Sequence, residues 1–463
     1  MPITHPPIAD GAVGVEGRRI VYVGPRDAAP PAQEVVQLGD AFLLPGLVNA
    51  HTHLELTLMR GFLERGTFRE WILRLTAARA KVLDETALLA SARLGIAEGL
   101  LAGITTYADT SSTGVVVDAL TQMRVRGISY QEVFGPAPAQ CDASMDELRQ
   151  RISRLTPRSS PLVRLGVSPH APYTVSDLLY RAVARYAGEE RLPVAVHIAE
   201  SREELMFVVA GSGPFADGWR ARGIPVAPRA SSPIALLRAM GVLETRPLLI
   251  HCVHLTSEDS ADLARSACAV AHCPASNAKL SHGIAPVAQL LLNGRAVSVG
   301  LGTDSVASNN RMDILDEARL AVLMARAAHR GVIDASRALE MATLGGAAAL
   351  GQQTEIGSLE AGKAADLAAF HVDLERDEPI YDPATALLFG AGGRRALMVA
   401  VEGVELVREG RLVTSLEADI AAMRESSARL ARLAIEAPVP DGLDFSVVPT
   451  VFENDLTEGE RGR

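Results

Sequence analysis

Apolar residues fall in two rhythms along this chain. Through its middle, short near-continuous apolar runs alternate with longer stretches in which Ala and Leu recur at helical spacing. Such runs form strands buried on both faces, and such stretches form covering helices. The runs predict strands over residues 42–49, 104–108, 129–134, 163–167, 193–197, 247–251, 267–272 and 296–302. Helices are predicted between them, for example over 85–102, 176–187, 257–266 and 335–348. Eight strands with helical crossovers make an α/β chain whose natural closed form is a (β/α)₈ TIM barrel.

The ends read differently. Over 11–44, short apolar pieces at 12–15, 20–23 and 34–38 are separated by turns such as Gly17-Arg18-Arg19 and Gly24-Pro25, and similar text returns at 357–367 and 397–412. This is the pattern of a small β-sandwich built from both termini. The expected division is therefore 1–44 as the first sandwich portion, 45–350 as the barrel and 351–415 as the second portion. Residues 416–463 form a C-terminal amphipathic helix, over 416–436, and a tail. A long loop over the barrel mouth is expected at 203–232.

A length of 463 residues suits one large domain with an appended small one. The net charge of -10 gives no basic footprint for nucleic acid. No basic leader and no apolar run of about 18 residues is present, so a cytoplasmic protein without a membrane partner is expected. The composition leaves room for a homo-oligomer. Cys141, Cys252, Cys268 and Cys273 lack paired spacing and read as buried thiols.

Candidate chemistry collects at strand ends. His51 and His53, two apart on a strand, point to one side and can share a cation. His197 ends another strand and Asp304 follows a fourth, giving three imidazoles and a carboxylate for one divalent metal, Zn²⁺ foremost and Fe²⁺ second. Such a metal activates water near neutral pH, and Asp304 can also accept a proton. Glu200, three residues past His197, is placed to move protons to a leaving group. His251 ends the next strand and can orient the attacking water, while His254 reads as a cap or packing residue. His272 reads as supporting, and Glu55, Arg60 and Glu70 lie on the segment after the first strand. Of these, Glu70 is best placed to accept substrate hydroxyls. The strand before His170 contains no lysine that could bridge two metals, so one metal is expected. No Cys-x-x-Cys occurs, which excludes a zinc site of the type built from His-x-Glu and Pro-Cys-x-x-Cys.

These segments resemble the amidohydrolase superfamily, in particular its aminohydrolase branch. The resemblance is carried by Pro45 to His53, His170-Ala171-Pro172-Tyr173-Thr174, His197-Ile198-Ala199-Glu200, His251 to Leu255, His272 to Asn277 and Gly302-Thr303-Asp304-Ser305. It implies that His51, His53, His197 and Asp304 hold one metal, that Glu200 shuttles protons and that His251 contacts the hydrolytic water. It also implies replacement of an aromatic amino group by water, with Glu70 and His170 touching the substrate. The wording around Leu54-Glu55 and Phe68-Arg69-Glu70-Trp71 is most similar to 6-aminodeoxyfutalosine deaminases of menaquinone biosynthesis. Deaminases of S-adenosylhomocysteine and methylthioadenosine are next. Adenosine, guanine, cytosine and triazine hydrolysis on the same scaffold are further alternatives, and a non-catalytic scaffold is the remote one.

Overall fold

The computed structural model describes residues 1–436, apart from residue 65 and segments 293–296 and 391–394. Eight parallel strands are laid down in chain order: β1 (Leu47–Thr52), β2 (Ile104–Ser111), β3 (Arg126–Val133), β4 (Val163–Pro169), β5 (Ala195–Ile198), β6 (Leu248–His251), β7 (Ala269–His272) and β8 (Ser298–Leu301). β1 to β4 pair consecutively, as do β5 to β8. The two halves meet where Val167 bridges Val194 and Thr52 bridges Asp304, which closes the barrel. Helices cover the outside, so the strand residues are buried nearly throughout.

Closure of β8 on β1 requires a missing side chain. A Cβ on Gly302 would stand 2.8 Å from the Cβ of His51. Asn49 stitches the same seam, accepting from Thr303 N at 3.0 Å and donating to Thr303 Oγ1 at 2.8 Å.

The apolar run expected as one strand over 42–49 is two. Ala41–Pro45 pairs antiparallel with Leu367–His371, and Leu47–Thr52 then enters the barrel. Gly46 is the corner, with its N–H on Asp366 O at 2.8 Å and no room for a Cβ, which would fall 2.2 Å from Thr105 Oγ1. Both pieces are buried, so hydrophobicity alone does not mark the hand-over between them.

The small sheet runs Arg411–Leu412, Val404–Arg408, Met398–Val401, Leu367–His371, Ala41–Pro45. A hairpin, Gly11–Glu16 with Arg19–Pro25, joins it through a bridge between Arg19 and Ala364. Ile20, Leu359, Ala365, Leu367 and Ala400 fill the space between. Residues 34–38 form no strand; Val35 and Val36 are 66% and 56% exposed, and Ala41–Pro45 takes the place expected for them. Where the small sheet meets the start of β3, the buried Arg126 donates from Nε to Asp366 Oδ2 at 2.9 Å and lies 3.5 Å from Glu402.

The first two thirds of 203–232 fold into two short helices rather than a loop. Ser201 caps Arg202–Ala210, Gly211 ends it in the left-handed region, and Pro214 opens Pro214–Ala221. This segment braces the exit of β4: Phe215 stacks on Tyr173 with centroids 4.0 Å apart, and Trp219 Nε1 donates to Tyr173 O at 2.8 Å. The C-terminal helix spans Glu417–Glu436. The expected tail, 437–463, lies outside the described residues. The four cysteines are free. Among the described residues no helix is long and apolar enough to cross a membrane.

Candidate functional site

The C-terminal ends of β1, β5, β6 and β8 converge. His51 Nε2 and His53 Nε2 lie 3.3 and 3.5 Å from the same Asp304 oxygen, Oδ1. His197 Nε2 faces His53 Nε2 at 3.3 Å. His51 Nε2 is buried without a directed hydrogen bond. Two neutral imidazoles that meet nitrogen to nitrogen set one lone pair against another unless a proton or cation stands between. A divalent cation shared by these atoms resolves both conflicts, and three imidazoles with one carboxylate suit Zn²⁺ or Fe²⁺.

The charge state fits the same use. Burial pushes His51 down to about 4 and His197 well below the usual imidazole range. Burial works against ionisation of Asp304, but His51, with His251 and His53 behind it, holds that carboxyl well below its ordinary value. His53 is also opposed by burial, yet Asp304, Glu132, Asp109 and Glu55 together raise it. Neutral His51 and His197 beside an ionised carboxylate are the forms that bind metal.

Buried carboxylates hold the strand-end turns. Asp109 on β2 accepts from Thr52 Oγ1 at 2.9 Å and from Leu54 N at 2.6 Å, and burial pushes it up to about 7. Glu204 accepts from Ala199 N at 2.8 Å and Glu200 N at 3.0 Å, and burial pushes it up to about 8. Asp304 is fixed by Ser276 Oγ at 2.6 Å and Ser308 Oγ at 3.1 Å on Oδ2, and by Ser305 N at 2.6 Å on Oδ1. Ala199, His251 and Asp304 sit at φ of 53°, 75° and 56°. Left-handed backbone costs a non-glycine residue about 1–3 kcal/mol and collects where side chains must be aimed.

Glu200 is buried beside this cluster. His251 Nε2 lies 3.5 Å and His282 Nε2 3.2 Å from its Oε1. Burial raises the carboxyl, but His251 and then His282 more than offset it, leaving the group below its usual value and ionised at neutral pH. Asn277 Oδ1 is 2.9 Å from His251 Nδ1 and fixes that ring.

The cluster opens on a cavity of about 410 Å³, walled on its outer side by Phe68, Trp71, Ile72, Leu75, Phe134 and Tyr173. His53, His170, His197, Glu200, His251 and Asp304 all reach it. His170 Nδ1 pairs with Thr174 Oγ1 at 2.8 Å, and its ring lies 4.9 Å from that of His197.

Glu70 is not brought to the cavity. It is the third residue of helix Phe68–Val82, where Oε2 accepts from Thr67 N at 2.8 Å while Thr67 Oγ1 accepts from Glu70 N, a capping box that lowers the carboxyl. Its position at a helix start, not after a strand, sends its carboxylate to its own cap. Glu55 does line the cavity, ion-paired with Arg79. Arg60 pairs with Glu98 instead. His254 is half-buried with Nε2 unpartnered. His272 is fully buried and belongs to none of the metal-capable clusters among the described residues.

Three site residues carry no strong sequence signal. His282 lies in a loop after helix Pro274–Lys279, away from any strand end. Glu204 sits inside a helix. Glu132, near the end of β3, lines the cavity with Oε1 buried and unpartnered; a charged residue inside an apolar strand was its available clue.

The Amidohydrolase family model matches residues 42–406. The chain is 34% identical to the 5-methylthioadenosine/S-adenosylhomocysteine deaminase of Moorella thermoacetica, across 89% of this chain and 94% of that protein. It is 30% identical to the protein of the same name from Pyrococcus furiosus, across 89% and 93%. Among solved structures, an adenosine deaminase from Xanthomonas campestris with bound zinc superposes with a TM-score of 0.82 at 31% identity, across 93% and 97%. Atrazine chlorohydrolase from Arthrobacter aurescens, complexed with zinc, superposes with a TM-score of 0.78 at 26% identity, across 91% and 96%. Matched over most of its length and carrying a buried histidine and carboxylate centre at its barrel mouth, the chain belongs to the amidohydrolase family, as a metal-dependent hydrolytic deaminase acting on C–N bonds.

Proposed function

We propose that the protein deaminates a 6-aminopurine nucleoside with a small apolar 5′ substituent, 5′-methylthioadenosine foremost, and that His51, His53, His197 and Asp304 hold one Zn²⁺. The carrying observation is the pairing of that cluster with a large apolar wall. Among the described lining residues Arg79 is the only guanidinium or ammonium group, and Glu55 already pairs with it. A methylthio group needs no counter-ion, whereas a homocysteine or benzoate tail brings a carboxylate that does. The sequence resemblance favoured 6-aminodeoxyfutalosine. The relatives named above favour the methylthioadenosine and S-adenosylhomocysteine class, and menaquinone biosynthesis receives no support from them.

The metal, when bound, lowers the pKa of a water molecule so that it is a nucleophile near neutral pH. Asp304, ionised and fixed by Ser276 and Ser308, takes a proton from the attacking water. Glu200, ionised at rest, takes the other proton of that water and passes it to the ring nitrogen beside the amino-bearing carbon, which makes that carbon electrophilic. His251, held by Asn277, orients the water. The proton taken up by Asp304 then passes to the amine, which leaves as ammonia and gives the 6-oxopurine. The apolar wall excludes bulk water and places the ring.

An ammonia-release screen tests this, with 5′-methylthioadenosine, S-adenosylhomocysteine, adenosine, aminodeoxyfutalosine, adenine and guanine as substrates. Methylthioadenosine should have the highest kcat/KM, and free adenine should be poor. If guanine exceeds every adenine nucleoside, the nucleoside reading falls while the metal chemistry stands.

A further inference from the structure

One imidazole beside Glu200 has no part in the steps above. His282 is 6% exposed, on a turn bracketed by Ser281 at φ 62° and Gly283 at φ 111°. Its backbone N–H is tied to Asn277 O at 2.8 Å. Its ring stands edge-on to Phe68 with centroids 4.5 Å apart and an interplanar angle of 89°. Nε2 has no other acceptor and points at Glu200 Oε1, 3.2 Å away. The same oxygen is approached by His251 at 3.5 Å, and Asn277 mounts both rings, through its side chain for one and its backbone for the other.

His282 also lies outside the substrate's space. It lines a second cavity of about 280 Å³, separated from the first by a shared wall of Phe68, Trp71 and Leu280. Its ring therefore reaches Glu200 without being among the residues that line the main cavity.

We propose that His282 is a positioning residue that, with His251, clamps Oε1 of Glu200, so that the other carboxylate oxygen is presented to the substrate ring nitrogen. The inference rests on the reading of Glu200 as the proton-handling group. A glutamate has three side-chain torsions, and the strand-end turn alone does not fix the last of them. Two imidazoles set by one buried asparagine do. The strained turn around Ser281 is then explained by the aim it gives the ring.

The test measures ammonia release and metal content in His282→Ala, His282→Gln and His282→Phe, with and without Glu200→Gln. Misplacement of a catalytic group by about 1 Å costs on the order of 100-fold, so His282→Ala should lose about 10- to 100-fold in kcat. KM should stay within about threefold, since no substrate contact is removed. Gln, whose amide can still donate, should restore most of the rate; Phe, which keeps the packing on Phe68 but donates nothing, should behave like Ala. In the Glu200→Gln background the Ala change should add almost nothing, because the group it positions is already disabled. A Phe variant at the wild-type rate, or an additive loss in that background, overturns the proposal. So does loss of metal in all three variants, which would place His282 at the metal end. Should the Ala variant fail to fold, Gln and Phe carry the comparison. Full activity of Glu200→Gln alone would instead remove the acid–base reading itself.

Discussion

The two ends of the main cavity are built on opposite plans. At the histidine and carboxylate end, each clustered side chain sits at the end of a barrel strand, is buried, and has its turn held by hydrogen bonds with buried residues such as Asp109, Glu204 and Ser276. At the outer end, helix Phe68–Val82 supplies a wall of Phe68, Trp71, Ile72 and Leu75, and its own polar residues satisfy one another at the cap. The first plan fixes atoms to fractions of an ångström, as proton transfer requires. The second fixes only shape, which selects ligands by size and apolarity. On the proposed function, chemistry and specificity are thus separable in this protein.

Substitutions at either end should break that separation to different degrees. The largest effect belongs to the ligands: His197→Ala should lose its metal by elemental analysis and bring ammonia release to background. Retained stoichiometric metal in that variant would sink the proposed ligand set. Glu200→Gln comes next, keeping its metal while losing about 10²–10⁴-fold in kcat, the usual worth of general acid–base help. On the outer wall, Ile72→Ala should raise KM for methylthioadenosine about tenfold, the lower end of what a lost apolar contact costs, with kcat nearly unchanged. A larger effect on kcat than on KM would show that the wall takes part in alignment after all.

The next test concerns stability. Glu204 is held at about 8, above the ordinary glutamate value, because it is buried. The folded state therefore holds that proton more tightly than the unfolded chain, so its contribution is full below about pH 4.5 and fades as pH rises toward 8. Urea midpoints should fall over that window, and Glu204→Gln should flatten the fall; an unchanged slope would refute the assignment. The smallest effect is expected for Glu70→Ala, which should slightly lower the melting temperature and leave the preference of nucleoside over free base intact. Loss of that preference would return Glu70 to the substrate.

The convergence of the strand-end cluster could be read from sequence because a period-two strand followed by a polar residue has only one place to put that residue. His51, His53, His197, His251 and Asp304 all obey this rule. His282 and Glu204 escape it because they reach the site from a loop and a helix, whose side-chain directions depend on tertiary packing. Glu70 stands apart from the cavity for the complementary reason: Thr67-Phe68-Arg69-Glu70 is a capping-box signature, and a carboxylate engaged by its own helix start has little left for a ligand. The strand break at Gly46 was hidden because its immediate neighbours on both sides, Leu44 and Pro45 before it and Leu47 and Val48 after it, are all apolar and buried.

The pairing of Arg126 with Asp366 and Glu402 has a further consequence for how the molecule comes apart. The cation belongs to a barrel strand and the anions to the late-arriving portion of the small sheet, Asp366 being 240 residues away in sequence and Glu402 farther still. Removing either side would strand a buried charge, which is typically worth about 3–5 kcal/mol against folding. A nascent barrel that has not yet received the C-terminal portion would thus carry an uncompensated guanidinium at its base. Melting should therefore be a single cooperative transition, and truncation before Asp366 should yield an insoluble product instead of a smaller enzyme.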